Sequence, residues 1–143
     1  MKRVTPFEFQ NSVVIDIDAS PVLDYTFQPN MTNKTEFLQM DSHSDTFLTF
    51  IRNRQFDLIF IDGDHSYEGV RADYERTKDH GRIFVFHDIV NNVCPGVVQF
   101  WNKLKSQKSN TYDFYEFTEQ YDEVWQRTGQ QFLGIGVAVK KTQ

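Results

Sequence analysis

Cysteine is almost absent from the chain: Cys94 is the single one in 143 residues. One thiol excludes an internal disulfide and any zinc site built from a cysteine cluster. Proline is sparse, at Pro6, Pro21, Pro29 and Pro95, and glycine numbers only seven, so there is no low-complexity linker and no collagen-like or repeat pattern. No apolar run approaches the ~20 residues of a membrane span. The stretch from Met1 to Asn11 has no apolar core of the signal-peptide kind. Basic residues never occur in blocks of more than two, and 20 acidic side chains outweigh 15 basic ones for a net charge of −5. Phosphate neutralisation along a nucleic acid is therefore excluded as a binding mode. These absences point to a soluble, cytoplasmic chain in a reducing setting, with no membrane and no nucleic acid among its partners. In that setting the Asn30-Met31-Thr32 and Asn33-Lys34-Thr35 triplets are not glycosylation sites.

What is present is globular. Hydrophobic residues make up 39% and charged residues 24%, above the threshold for disorder. The length fits a single domain, residues 1–143, able to bury roughly 68% of its unfolded surface. With 14 Phe, 6 Tyr and 2 Trp, the core must be built largely from rings.

Strand and helix signals alternate along the chain. Ser12–Asp18 is a β-branched run broken by Pro21, and Glu36–Met40 is a second short strand. Ser44 or Asp45 caps a helix from Thr46 to about Arg54. Phe56–Ile61 is nearly all apolar, as for a strand covered on both faces. Ser66 caps a helix to about Asp79 with Tyr67, Val70 and Tyr74 on one face, and His80-Gly81 ends it. Arg82–Phe86 is the next strand. Pro95-Gly96 opens a helix to about Lys105, with Val97, Trp101 and Leu104 inward. Tyr112–Phe117 and Phe132–Val139 are two late strands, and Thr118–Gln131 between them is a loop or short helix. This order predicts an α/β fold: a Rossmann-like, mostly parallel sheet with an antiparallel edge strand.

Ligands of such sheets sit outside the carboxyl ends of the strands. Here those ends are acidic. Asp16 and Asp18 close the first strand, Asp41-Ser42 the second, Asp62 and Asp64 the third, and His87-Asp88 the fourth. Four consecutive strands ending this way predict a functional rim rather than a solvated edge. A carboxylate at the second-strand position of such a sheet can accept both ribose hydroxyls of a nucleotide. Asp41-Ser42 offers an acceptor and a hydroxyl to an adenine edge. Asp62 and Asp88, with His87 or Asn91, suit Mg²⁺ or another divalent cation. His65 and His87 are the candidate general bases. His43 reads as a surface residue and His80 as a helix-end residue. Cys94 has no basic neighbour in sequence and reads as an inert or metal-rim thiol rather than a nucleophile. Gly134-Ile135-Gly136 is no phosphate loop, because no helix follows it.

Val14-Ile15-Asp16-Ile17-Asp18, Gln39-Met40-Asp41-Ser42 and above all Phe56–Val70, followed by Gly81–Asp88 and Pro95–Trp101, resemble a class I S-adenosylmethionine-dependent methyltransferase. The likeness is nearest to the small O-methyltransferase-like and sugar-methylating branches and covers about residues 12–139. The resemblance implies S-adenosyl-L-methionine as cofactor, with Asp16, Asp18, Asp41, Ser42 and Asp62 binding it. It implies a divalent metal on Asp62, His87 and Asp88, catalysis by Asp62, His65 and His87, and a small-molecule acceptor such as a sugar or phenol oxygen. The family's opening strand and glycine-rich loop have no counterpart before Asp16, which marks the fold as N-terminally truncated. A sheet so shortened closes up, recruits Val4–Phe9, or takes a strand from a second copy or partner chain. Two other readings stand beside methyl transfer: a non-catalytic remnant acting through self-association or a partner, and a metal-dependent hydrolase on Asp62, Asp64, His65 and Asp88.

Overall fold

A computed structural model describes residues 11–18, 34–90, 92–120, 122–129 and 131–142. Pro21, Val4–Phe9, the acceptor asparagines Asn30 and Asn33, and Asn91 lie outside the described residues. Six strands and four helices are described: β1 (Asn11–Asp16), β2 (Lys34–Gln39), α1 (Asp45–Ile51), β3 (Phe56–Ile61), α2 (Tyr67–Thr77), β4 (Gly81–His87), α3 (Pro95–Lys108), β5 (Tyr112–Phe117), α4 (Asp122–Thr128) and β6 (Ile135–Lys140). The chain divides into two compact units, Met1–Thr49 and Phe50–Gln143. Among the described residues no helix is long and apolar enough to cross a membrane.

In the first unit β1 and β2 form a parallel ladder, with Asp16 level with Gln39. The Met40 N–H donates to the Asp16 carbonyl at 2.8 Å and adds one rung beyond the strands. Because the pair is parallel, both carboxyl ends lie at the same end of the ladder.

In the second unit the sheet order is β3-β4-β6-β5. β3 and β4 are parallel, and β6 runs antiparallel to both of its neighbours, β4 and β5. The fold is thus the α/β, mostly parallel arrangement read from the sequence, with one refinement. The reversed strand sits one place in from the edge, and β5, the edge strand, runs with β3 and β4. The chain passes through α3 to β5 at the outside of the sheet and returns as β6 between β4 and β5. The stretch before β6 contains the short helix α4, resolving the loop-or-helix alternative.

The core lies between this sheet and helices α2 and α3. It joins Ile61, Val70, Tyr74, Phe84, Phe86, Val97, Phe100, Trp101, Leu104, Tyr112 and Ala138. Rings dominate, as the composition requires: Tyr74 meets Phe84, Phe86, Phe100 and Tyr112 at centroid separations of 5.5–6.5 Å. Its hydroxyl donates to that of Tyr112 at 3.1 Å, so the buried phenol is not left unsatisfied, and burial pushes its pKa well above the usual phenol value.

β3 departs from the expectation of a strand covered on both faces. Ile61 is buried and Ile59 packs on the core, but Phe60 is 52% exposed. Successive side chains alternate faces, and α2 and α3 cover only one of them within this unit.

Glu116 on β5 ties the edge strand to α3. It accepts from Trp101 Nε1 at 2.6 Å and pairs closely with Lys105 Nζ. The Lys105 bond, then the indole bond, hold its carboxyl below the ordinary carboxylate range. A depressed folded value means stability that is present above the unfolded pKa of about 4.3 and lost as pH falls through the lower folded value. The melting temperature of the native chain is therefore expected to fall more steeply below about pH 4.3 than that of Glu116→Gln. Parallel curves for the two would refute this.

Candidate functional site

In the first unit the rim is built by two local turns. Asp16 Oδ1 accepts the Asp18 N–H at 2.9 Å, and Asp41 Oδ1 accepts the His43 N–H at 2.7 Å. Each is an Asx-type turn, in which a short carboxylate satisfies a backbone donor just past a strand and is itself fixed. The Asp41 carbonyl also accepts from the Ser44 N–H and Oγ, and Ser44 Oγ accepts the Phe47 N–H at 3.2 Å to cap α1. Asp16, Asp18, Asp41 and Ser42 therefore share one end of the β1–β2 ladder.

The second unit gathers the remaining residues. β3 and β4 are in register at Ile61 and Phe86, so Asp62 and His87 follow at the same level. After Asp62 the chain must turn into α2, and Asp64 makes the turn by accepting the Ser66 N–H at 2.8 Å. Ser66 then caps the helix through the Gly69 N–H at 3.0 Å. The Asp64 carboxyl lies over Gly69, where a Cβ would come within 2.3 Å of it, so glycine at that position is what lets the turn close. The result projects His65 back toward Asp62: His65 Nε2 lies 3.3 Å from Asp62 Oδ1.

The other half of the cluster follows β4. His87 Nδ1 is 3.3 Å from Asp62 Oδ1 and 2.7 Å from Asp88 Oδ1. Asp88 adopts φ 61°, the left-handed region that aspartate tolerates better than most residues. Its N–H donates to the Gly134 carbonyl at 2.9 Å, and the Val90 N–H donates to Leu133, which pins this turn to the segment entering β6. Only 3% of Asp88 is exposed. Its Oδ2 accepts from the Cys94 thiol at 3.3 Å and lies 3.5 Å from His65 Nδ1. Oδ1 faces His87 Nδ1 at 2.7 Å and makes no hydrogen bond.

Two trios of ligand-type atoms thus share Asp88, namely Asp62–His87–Asp88 and His65–Asp88–Cys94, each with its atoms within 4.8 Å of one another. Asp62, His65, His87 and Asp88 are brought together within this unit, while Asp16, Asp18, Asp41 and Ser42 belong to the other. Asp64 acts in the turn and takes no part in either trio. A surface cleft lined by Gln55, Phe56, Asp57, Gly81, Arg82 and Lys140 lies at the opposite, amino-terminal ends of β3 and β4 and holds none of these residues.

Cys94 is the member that sequence spacing did not assign. It lies 29 residues from His65, yet its Sγ is 3.3 Å from His65 Nδ1. The contact exists because the start of α3 lies on the start of α2. A Cβ on Gly96 would fall 2.3 Å from the Tyr67 nitrogen and 2.6 Å from the His65 carbonyl oxygen. The Pro95-Gly96 pair was the available signal: proline opens the helix, and glycine permits backbone to approach backbone. Burial first, then the hydrogen bond and charge of Asp88 and the charge of Asp62, push the Cys94 thiol pKa up. That rules against a thiolate nucleophile in the metal-free protein.

No curated protein matches the chain. A family model described as a methyltransferase domain matches residues 6–89, well over half of the sequence and including every acidic strand end discussed above. The chain belongs to that methyltransferase-domain family and carries a class I methyltransferase-like domain.

Proposed function

We propose that the protein transfers a methyl group from S-adenosylmethionine to an oxygen of a small molecule, a sugar or small phenol, with help from a hard divalent cation such as Mg²⁺. The observation that carries the reading is the convergence of Asp62, His65, His87 and Asp88 at adjacent parallel strand ends inside the family-matched span. The cation fits this place for a reason of its own: Asp88 Oδ1 is buried without a hydrogen bond, and a buried carboxylate oxygen left so is costly unless a positive charge offsets it.

When bound, the cofactor supplies an electrophilic sulfonium methyl and the cation supplies Lewis acidity that favours loss of an acceptor hydroxyl proton at neutral pH. The chain's own residues do the rest. Asp16 would bind the ribose hydroxyls, its carboxylate held in place by the N–H of Asp18, which completes this end of the cofactor site. Asp41 and Ser42 meet the adenine edge. Asp62, His87 and Asp88 would hold the cation. His65 Nε2 donates to Asp62 and fixes its orientation, which makes His65 a positioning residue. With Nδ1 turned toward the two carboxylates and the cation, His87 would handle the acceptor proton at its other ring nitrogen, Nε2.

Titration calorimetry with S-adenosylhomocysteine, with and without Mg²⁺, tests cofactor recognition. The native chain is expected to give saturable heat, and Asp16→Ala to give none while keeping its circular dichroism. Absence of heat from the native chain under both conditions would overturn the reading. Against sugar and phenol acceptors, Asp62→Asn is expected to lower Mg²⁺-dependent formation of S-adenosylhomocysteine at least a hundredfold.

A further inference from the structure

We propose that His65 Nδ1, Cys94 Sγ and Asp88 Oδ2 form a second cation site, specific for zinc, beside the Asp62–His87–Asp88 trio and sharing Asp88 with it. The three atoms make a nearly equilateral triangle: 3.3 Å from Cys94 to His65, 3.3 Å from Cys94 to Asp88 and 3.5 Å from His65 to Asp88. Zinc binds thiolate sulfur at about 2.3 Å and imidazole nitrogen or carboxylate oxygen at about 2.0–2.2 Å, which places tetrahedral ligand atoms roughly 3.3–3.6 Å apart. The triangle therefore already has the dimensions of three corners of a zinc tetrahedron, with the fourth corner left for water or a substrate atom.

Three further features support the assignment. His65 Nε2 bonds Asp62 Oδ1 at 3.3 Å, the carboxylate–histidine arrangement that sets the tautomer with its lone pair on Nδ1, toward Cys94 and Asp88. Asp88 is 3% exposed and its two oxygens face different neighbours, Oδ1 toward His87 Nδ1 at 2.7 Å and Oδ2 toward Cys94 and His65, so Oδ2 is a buried ligand atom already aimed into the triangle. The donor set itself discriminates: the thiolate sulfur of Cys94 suits a borderline-soft ion such as zinc and not a hard ion such as Mg²⁺.

On binding, the Cys94 S–H bond breaks, its proton leaves to solvent and a sulfur–zinc bond forms; no electrons are transferred. The bound unit is then Zn²⁺ with one thiolate, one carboxylate and one neutral imidazole, with no net charge to bury. The site locks the loop after β4 to the turn after β3 and holds Asp88 for its other neighbours. The inference stands on this trio alone and does not depend on methyl transfer.

The test uses the full chain, freed of metal with a chelator and titrated with Co²⁺ as a visible zinc surrogate. One equivalent is expected to bind with a near-ultraviolet thiolate-to-cobalt charge-transfer band. One equivalent of Zn²⁺ should abolish the band, and excess Mg²⁺ should leave it in place. Cys94→Ser and His65→Gln should lose the band while keeping native circular dichroism. Asp62→Asn should keep the band but bind about 10–100-fold more weakly, as for loss of an orienting partner. Because a variant can fail to fold, the native chain carries a second readout: zinc should release one proton per chain in weak buffer. A native chain without the band, a band that survives Cys94→Ser, or zinc uptake without proton release would each overturn the site.

Discussion

Trp101→Ala is expected to destabilise the second unit by about 3–5 kcal/mol, the usual cost of removing a large aromatic from a core. Trp101 is 1% exposed and sits at the centre of the ring cluster, 5.5 Å from Phe86 and 5.4 Å from Phe114 between ring centroids. Its indole also lies against Gly136 of β6, where a Cβ would come within 2.7 Å of Cζ2. The backbone of β6 can close little of the cavity, because it is held on both sides by β4 and β5. The same change removes the N–H that Glu116 accepts, leaving that carboxylate to Lys105 alone. For a chain of this length the melting temperature should fall by about 10 °C or more. Trp101→Phe, which keeps a ring but loses the N–H, should lose clearly less. A fall of under 1 kcal/mol in chemical denaturation of Trp101→Ala would show that the indole is not the keystone of this core.

The second large effect is expected at Gly96, where stability and site are coupled. In Gly96→Ala the added Cβ would meet the Tyr67 nitrogen, the His65 carbonyl oxygen and the Ser66 carbonyl carbon, all at 2.3–2.6 Å. These are backbone atoms and cannot rotate aside, so the start of α3 must lift off the start of α2. Overpacking of this kind costs about 1–3 kcal/mol and sometimes more. Cys94 lies two residues before Gly96 and would move with it, breaking its 3.3 Å contacts with His65 and Asp88. Gly96→Ala is therefore expected to lower the melting temperature and also to weaken Co²⁺ binding more than tenfold. Gly63→Ala is the control: its nearest atom, Asp73 Oδ2, would be at 3.4 Å, an ordinary contact. Equal effects of the two substitutions would show that the helix–helix approach does not position Cys94.

Much of this was legible from residue order. Ser66 announced the cap of α2, the alternation of Tyr67, Val70 and Tyr74 announced its buried face, and Tyr112–Phe117 was a strand with those bounds. Local signals of this kind suffice because a cap, a helical period or a β-branched run acts over a few residues. The candidate site was legible in part. Acids after four strands could be read as strand ends, and parallel pairing then puts ends of neighbouring strands at one level, as for Asp62 and His87. What failed was the coverage of β3: Phe60 looked like core because its neighbours in sequence are apolar, and only the sheet shows which side the helices cover.

The sequence by itself determined the α/β alternation, the ring-built core and the family, because each rests on composition, period or motif within a continuous stretch of chain. Tertiary structure alone decided that β6 enters between β4 and β5, and that Cys94 meets His65 and Asp88. Both depend on which backbone segments can approach closely, at Gly136 under Trp101 and at Gly96 over Tyr67. Such contacts are fixed by the summed packing of residues far apart in the chain, and no local pattern encodes them.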